Sequence, residues 1–173
     1  MFYYLIKSII QKNKKPTHHL YDQVVFKHHV KLSYIDIYKH INNAKYLRIY
    51  EKARWDFGIK TGMTKLMLQK KYLFLIMSAE VTYVKELKLG QEFDVYTKII
   101  ATDDKYYYFE QQMKRGEVVH NHAFFKVLIA GRKKVSPKDV HEMIYDKPFE
   151  ALNHPIVNQW KHFNEMKKNL NRV

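Results

Sequence analysis

"YIDIYKHINNAKYLRIYEKAR", residues 34–54, joins a polar loop to an amphipathic helix. Its first part gathers Asp36, His40, Asn42 and Asn43 within a few positions. From Ala44 onward apolar residues recur at helical spacing, at Tyr46, Ile49, Tyr50, Ala53 and Phe57. The pattern predicts one helix of about four turns, with an asparagine as its N-cap and Gly58 as its C-cap glycine.

Strand-like runs surround this helix. Residues 23–33 are rich in β-branched side chains and predict a first strand before it. Four more runs follow, at residues 72–87, 92–102, 105–115 and 117–131, with turn signals at residues 89–91, 102–104 and 115–116. These signals predict a meander of antiparallel hairpins. The expected fold class is therefore α+β, with an antiparallel sheet of about five strands and one long helix to cover a face.

Composition limits the kind of function. The chain has 173 residues, which suits about one domain, and 46% of them are hydrophobic. Its formal net charge of +14 favours anionic partners such as nucleic acid, acidic lipid or a phosphate-bearing small molecule. The sequence contains no cysteine, which excludes disulfides, thiolate metal sites and a cysteine nucleophile.

Both ends carry amphipathic segments. Residues 1–15 hold a short apolar run followed by lysines, too short to span a bilayer. They predict a helix docked on the domain, a peripheral membrane contact or a disordered segment. The expected location is the cytoplasm, because the features of a signal peptide are absent. In the tail, apolar residues at helical spacing predict one or two helices on the domain edge: Phe149, Leu152, Ile156, Trp160, Phe163 and Met166. The expected division is a segment 1–20, a domain 21–140 and a helical extension 141–173.

The polar loop also resembles a known family. Asp36, His40, Asn42, Asn43, Ala44 and Tyr46 match the D-x-x-x-H-[VIM]-N-N-A-x-Y signature of the 4-hydroxybenzoyl-CoA thioesterase family of hot-dog proteins. Residues 103–140 are similar to the branch typified by thioesterase superfamily member six. The resemblance implies a hot-dog fold, in which the sheet wraps around the long central helix. It also implies an acyl-CoA or acyl-carrier-protein thioesterase that needs no cofactor. Its expected assembly is a homodimer or a tetramer, with each active site at the seam between two subunits.

Thioester hydrolysis needs a group that activates water or attacks the carbonyl, and donors for the oxyanion that forms. Asp36 suits the first role, as general base or as nucleophile, and the residues leave both routes open. The N–H groups at the start of the helix, near Asn42 and Asn43, suit the second role. His40 either contacts substrate or holds the loop by hydrogen bonds. The predicted substrate-binding set is Tyr46, Met77, Ser78, Lys85 and Arg132, where the two basic residues would meet coenzyme phosphates.

Several alternatives stay open at this stage. Asp36 could be a carboxylate that only stabilises the turn. Many family members have glycine before the histidine, and this chain has Lys39 there. That difference favours an inactive hot-dog domain that binds acyl thioesters or a protein partner. The charge alone also suits a membrane-surface or RNA-binding protein. Tyr106–Phe109 are explained by strand alternation without specific nucleic-acid binding. His120 and His122 share a strand face, but a third metal ligand is not evident, so exposed strand histidines and no metal site are expected.

Overall fold

The computed structural model describes residues 15–145 and 148–170, so the predicted helix or membrane contact at residues 1–14 lies outside the described part. The described chain has five strands and four α-helices, together with a short 3-10 helix at Leu32–Tyr34. The strands are β1 Val24–His29, β2 Leu73–Tyr83, β3 Glu92–Thr102, β4 Tyr106–Arg115 and β5 Val118–Ala130. The helices are α1 Asn43–Lys60, α2 Met63–Lys70, α3 Pro137–Ile144 and α4 Pro155–Leu170.

The strands form one antiparallel sheet with the order β1-β3-β4-β5-β2. The hairpins β3–β4 and β4–β5 are those that the turn signals predict. The predicted hairpin between β2 and β3 is wrong, because β2 pairs with β5 at the far edge and β3 pairs with β1. The turn at Gly90 exists, but Gly90 N–H donates to Val30 O, which ties the connection to the β1 side of the sheet.

Helix α1 lies against one face of the sheet, the inner face, and forms the main core with it. Tyr46, Ile49, Tyr50, Ala53 and Phe57 are all buried, as the helical spacing predicts. The sheet contributes apolar side chains from alternate strand positions, including Tyr107, Phe109, Met113, Phe125 and Val127. This arrangement of a sheet around a long helix is the predicted α+β hot-dog fold.

Gly58 does not end α1 as predicted. The helix continues to Lys60, and Gly62 follows with a φ of 81°. A Cβ on Gly58 would collide with the hydroxyl of Thr64 at the start of α2. The glycine is therefore explained by the close approach of α2, and Gly62 supplies the left-handed residue.

Helix α4 lies on the opposite, outer face of the sheet and not on the edge, so that part of the prediction is wrong. Val157 is buried and packs with Ile100, Ala101 and Tyr108. Tyr106 and Tyr108 face this second cluster, whereas Tyr107 and Phe109 face the main core, as strand alternation predicts. None of the described helices is both long and apolar enough to cross a membrane.

Candidate active site

Residues 35–41, called the Asp36 loop here, form a tight hairpin before α1. Ile35 and Ile41 are bridged, and Asp36 N–H donates to His40 O at 3.1 Å. Lys39 N–H donates back to Asp36 O, also at 3.1 Å, which closes the turn. Ile41 is fully buried and its N–H donates to Leu87 O, so the base of the loop is anchored in the core.

Lys39 occupies the left-handed region of backbone space, with a φ of 63°. Glycine adopts this conformation readily, whereas other residues carry about 1–2 kcal/mol of strain there. The lysine therefore keeps the turn that a glycine would form, at a cost in stability. The replacement of glycine by Lys39 does not by itself prevent the loop from closing.

The Asp36 carboxylate is held by its own loop. Its Oδ1 accepts a hydrogen bond from Tyr38 N–H at 2.9 Å, and His40 Nδ1 lies 3.7 Å from the same oxygen. The Asp36 side chain is 19% exposed and that of His40 is 33% exposed. Among the described residues, no group donates a hydrogen bond to Asp36 Oδ2. One carboxylate oxygen orients the side chain, and the other is available to water or a substrate.

The start of α1 follows the loop directly. Asn42 is the N-cap, and its side chain accepts a hydrogen bond from Ala44 N–H at 3.0 Å. Asn42 N–H donates to Tyr34 O at 2.9 Å, which fixes the angle at which the helix leaves the loop. Asn43 is the first helical residue, and it is exposed. The cap uses the N–H of Ala44, and Lys45 N–H donates to Asn42 O, so within the described residues Asn43 N–H is the first-turn donor without an acceptor.

Two anchors hold the loop and the helix in their relative positions. Tyr34, at the entrance to the loop, accepts a hydrogen bond from Lys52 Nζ at 2.7 Å through its hydroxyl. The same hydroxyl lies 3.0 Å from His28 Nε2 on β1. Burial lowers the pKa of His28 to about 4, so at neutral pH the ring is uncharged and can accept the Tyr34 proton.

A buried polar network, which the sequence patterns did not predict, lies between α1 and the sheet. Gln111 donates through Nε2 to Thr97 Oγ1 at 2.8 Å and to Tyr50 O at 3.2 Å. Arg54 Nη1 donates to Gln111 Oε1 at 2.6 Å. Tyr50 O–H donates to Asn121 Oδ1 at 2.5 Å. Gln111 breaks an otherwise apolar alternation with Tyr107, Phe109 and Met113, and this was the available signal.

The network fixes the position of α1 along the sheet. Burial lowers the pKa of Arg54 to about 10, and the guanidinium also lies 4.1 Å from the centre of the Phe125 ring. Buried polar groups of this kind are costly when they lose a partner, so the helix cannot slide without breaking several bonds. The consequence for the site is a fixed position for the N-terminus of α1.

Tyr46 is buried under the start of α1. Its ring lies edge-on to Tyr83 at 5.3 Å, and burial raises the pKa of Tyr46 to about 12. The tyrosine is therefore neutral at physiological pH. Tyr83 is half exposed, and its hydroxyl lies 3.4 Å from Asn43 O, which brings the end of β2 to the start of α1.

Met77 and Ser78 lie in the middle of β2, at a β-bulge. Met77 is 51% exposed, and Leu73, Leu75 and Ile76 on the same strand are also exposed. Strand β2 is an edge strand, paired on one side with β5 among the described elements. An edge strand with this much exposed apolar surface favours pairing with a strand of another chain.

Lys85 lies close to the Asp36 loop, and Arg132 does not. Lys85 contributes to a cavity of about 280 Å³ with Glu86, Lys88, Gln91, Arg115, Val118 and His120. This cavity adjoins the loop, because Lys88 is bridged to His40. Arg132 lies two residues after Ala130, the last residue of β5, which pairs with Leu73. Leu73 is at the opposite end of β2 from Tyr83. At about 3.3 Å per residue, the two ends of β2 are roughly 30 Å apart.

His120 and His122 differ from the expected exposed histidines. His120 is buried, and its Nδ1 lies 2.9 Å from Glu86 O. His122 Nε2 lies 2.8 Å from Glu110 Oε1 on the outer face of the sheet. Within residues 15–145 and 148–170, no group of three or more His, Cys, Asp or Glu side chains could hold a metal ion.

Comparison with known proteins gives the family. The model of the thioesterase-like superfamily matches residues 30–147, which include the Asp36 loop and all of α1. Protein THEM6 of Danio rerio is 28% identical over 113 residues, covering 64% of this chain and 54% of that protein. A probable thioesterase of Saccharomyces cerevisiae is 34% identical over 112 residues, covering 62% of this chain and 48% of that protein. The chain thus matches about half the length of these two relatives.

Solved structures agree on the fold. The probable thioesterase YbaW of Escherichia coli aligns with a TM-score of 0.60 at 20% identity, covering 71% of this chain and 98% of that one. A hypothetical protein of Staphylococcus aureus, described in complex with CoA, aligns with a TM-score of 0.64 at 18% identity, covering 80% and 92%. These similarities confirm the predicted hot-dog fold. The family match and the similarity to protein THEM6 confirm the predicted resemblance to this branch of thioesterases. The chain belongs to the thioesterase-like superfamily.

Proposed function

We propose that this protein hydrolyses acyl thioesters of coenzyme A, with Asp36 as the catalytic carboxylate. The observation that carries the proposal is the Asp36 loop itself. It orients one carboxylate oxygen through Tyr38 N–H and leaves the other open, directly before the N-terminus of α1. A thioester carbonyl placed between them would have a base or nucleophile on one side and a helix N–H donor on the other.

In the proposed reaction, Asp36 either takes a proton from water or attacks the carbonyl carbon itself. In the first route, the hydroxide generated adds to the carbonyl, and the coenzyme thiolate leaves. In the second route, the Asp36 carboxylate adds to the carbonyl carbon and the coenzyme thiolate leaves, which gives an Asp36–acyl anhydride. Water then hydrolyses the anhydride to the free acid and the Asp36 carboxylate. The Asn43 N–H donates to the oxyanion in both routes, favoured by the positive end of the α1 dipole. His40 lies 3.7 Å from Asp36 and orients the carboxylate.

Basic groups beside the loop suit the coenzyme end of the substrate. The cavity that contains Lys85, Lys88 and Arg115 lies next to His40 and could hold a phosphate. Acyl-CoA is therefore a better proposed substrate than an uncharged thioester, and the proposed role is in lipid metabolism in the cytoplasm. An acyl-carrier protein presents the same thioester, and its acidic surface would also suit these basic groups.

The proposed active assembly is a homodimer, formed by pairing β2 with its counterpart in a second copy. The exposed edge of β2 supports this pairing. If two β2 strands paired antiparallel about their middle, the Leu73 end of one would lie beside the Tyr83 end of the other. The Arg132 of a second copy would then approach the Asp36 loop, which Arg132 cannot reach within its own chain.

The test is a hydrolysis assay on acyl-CoA substrates of increasing chain length. Free coenzyme thiol is detected with a thiol reagent, and the protein adds no background because it contains no cysteine. We expect turnover of at least one chain length by wild-type protein. Binding of acyl-CoA without turnover would favour the non-catalytic hot-dog alternative.

The dimer is tested by sedimentation of a Met77→Glu variant. Met77 lies near the middle of β2 and is 51% exposed, so two like charges would meet at a symmetric seam. Met143→Glu on α3 is the matched control, since Met143 is 45% exposed and is not part of the β2 edge. We expect Met77→Glu to be monomeric and inactive, and Met143→Glu to behave as wild type. A wild-type protein that is monomeric at micromolar concentration would contradict the seam.

A further inference from the structure

Helix α4 is fixed to the outer face of the sheet along one side. Val157 is buried, and the Trp160 ring lies 6.1 Å from the ring of Tyr108. Lys161 Nζ forms an ion pair with Asp103 at 3.1 Å. Leu152, just before the helix, exchanges hydrogen bonds with Thr102 at the end of β3. These contacts hold the helix in one rotational setting, so the rest of its surface points in defined directions.

The remaining surface of α4 carries an apolar stripe. Its members are Ile156, Phe163, Met166 and Leu170, and each is between 47% and 76% exposed. Ile156, Phe163 and Leu170 are seven residues apart, so they lie nearly in line along the helix. At 1.5 Å per residue the stripe is about 21 Å long. A row of this length is unusual for a surface that faces only water.

Positive charge accompanies the stripe. Lys167 Nζ lies 4.4 Å from the centre of the Phe163 ring, which places an ammonium group along the stripe itself. Lys161 and Lys168 lie instead on the sheet-facing side of α4, close enough to Lys126 on β5 to lower its pKa, although burial contributes more to that shift. Glu165 is the one acidic residue of α4, and the chain as a whole carries a formal charge of +14. The natural partner of the stripe is therefore anionic as well as apolar.

We propose that the outer side of α4 docks on a lipid surface that contains anionic headgroups. Phe163, Leu170 and their apolar neighbours would enter the boundary between headgroups and acyl chains. Lys167 would extend its ammonium group to the lipid phosphates, as long basic side chains do. A second copy of the chain fits this surface less well, because it would bring two lysine-rich helices together.

This docking is independent of the proposed hydrolysis, since α4 and the Asp36 loop lie on different parts of the molecule. The experiment compares sedimentation of the full chain with vesicles of pure phosphatidylcholine and with vesicles that also contain phosphatidylserine. The test variant is Phe163→Ser with Leu170→Ser, which removes apolar surface without changing charge. The control is Met143→Ser with Leu32→Ser, whose side chains are 45% and 74% exposed elsewhere on the surface. Circular dichroism and hydrolysis of a short acyl-CoA check that each variant is folded.

We expect wild type to bind the phosphatidylserine vesicles in a salt-sensitive manner. The Phe163/Leu170 variant should bind at least about tenfold more weakly, and the control variant should bind as wild type. Lys167→Gln should weaken binding to anionic vesicles by about fivefold, with unchanged binding to neutral ones. The proposal is overturned if the Phe163/Leu170 variant binds as tightly as wild type, which would assign any binding to other segments. It is also overturned if the wild-type protein binds neither kind of vesicle and the Phe163/Leu170 variant changes only self-association.

Discussion

The Asp36→Asn substitution is the most informative perturbation of the proposed site, because it separates chemistry from structure. In the wild-type structure Tyr38 N–H donates to Asp36 Oδ1 at 2.9 Å. The loop should persist in the variant, since the amide Oδ1 of asparagine can accept the same hydrogen bond. The main-chain bonds that close the loop between Asp36, Lys39 and His40 do not involve the side chain. The free energy of unfolding should therefore change by less than about 1 kcal/mol.

The effect on turnover should be large. An amide is neither a general base nor a nucleophile at neutral pH, and a positioned base contributes about 10²–10⁴-fold. We expect kcat to fall at least about a hundredfold, equivalent to about 2.7 kcal/mol of lost transition-state stabilisation. The loss should appear in kcat more than in KM, since the groups that would hold the coenzyme are unchanged.

Asp36→Ala provides the matched comparison. It removes the bond to Tyr38 N–H as well as the carboxylate, so it should cost about 1 kcal/mol of stability in addition to the same loss of activity. Thermal unfolding and thiol release, measured on both variants, distinguish the two effects. An Asp36→Asn protein that keeps more than about a tenth of wild-type kcat would refute the assignment, given the size expected of a positioned base.

Three further predictions concern stability and are read out by chemical unfolding. Lys39→Gly should stabilise the protein by about 0.5 kcal/mol, because relief of left-handed strain outweighs the added flexibility of the unfolded chain; a loss of stability would show that the lysine is not strained. Asn42→Ala should cost about 1 kcal/mol through loss of the α1 cap, and an unchanged stability would argue against that cap. Glu110 has a pKa lowered to about 2 by its bonds to His122 and Lys98, so Glu110→Gln should cost about 2 kcal/mol at pH 7. That deficit should shrink as the pH falls from about 4.5 toward 2, where the wild-type carboxylate is protonated and its contribution is lost; a deficit that does not change with pH would contradict this.

The helices, the strands and the polar loop before α1 could be predicted from patterns in the sequence. Strand-like composition and turn signals located five strands, and helical spacing identified the buried face of α1, because these patterns arise between residues close along the chain. An asparagine N-cap was also readable, since a cap bonds to a residue two positions away, but the choice of Asn42 over Asn43 came from the structure. The family signature in residues 36–46 was enough to predict the hot-dog fold.

Contacts between elements that are far apart in the sequence could be read only from the tertiary structure. The partner of β2 is β5 and not the adjacent β3, because strand pairing depends on how the helices cover the sheet and not on a turn signal alone. The spacing of the tail predicted a helix but not which side packs, and Val157 and Trp160 face the sheet while Phe163 and Met166 face outward. The same holds for Lys85 and Arg132, which are equivalent in sequence as basic residues near strand ends. Only folding separates them by the length of the sheet, since distance in space is set by long-range pairing.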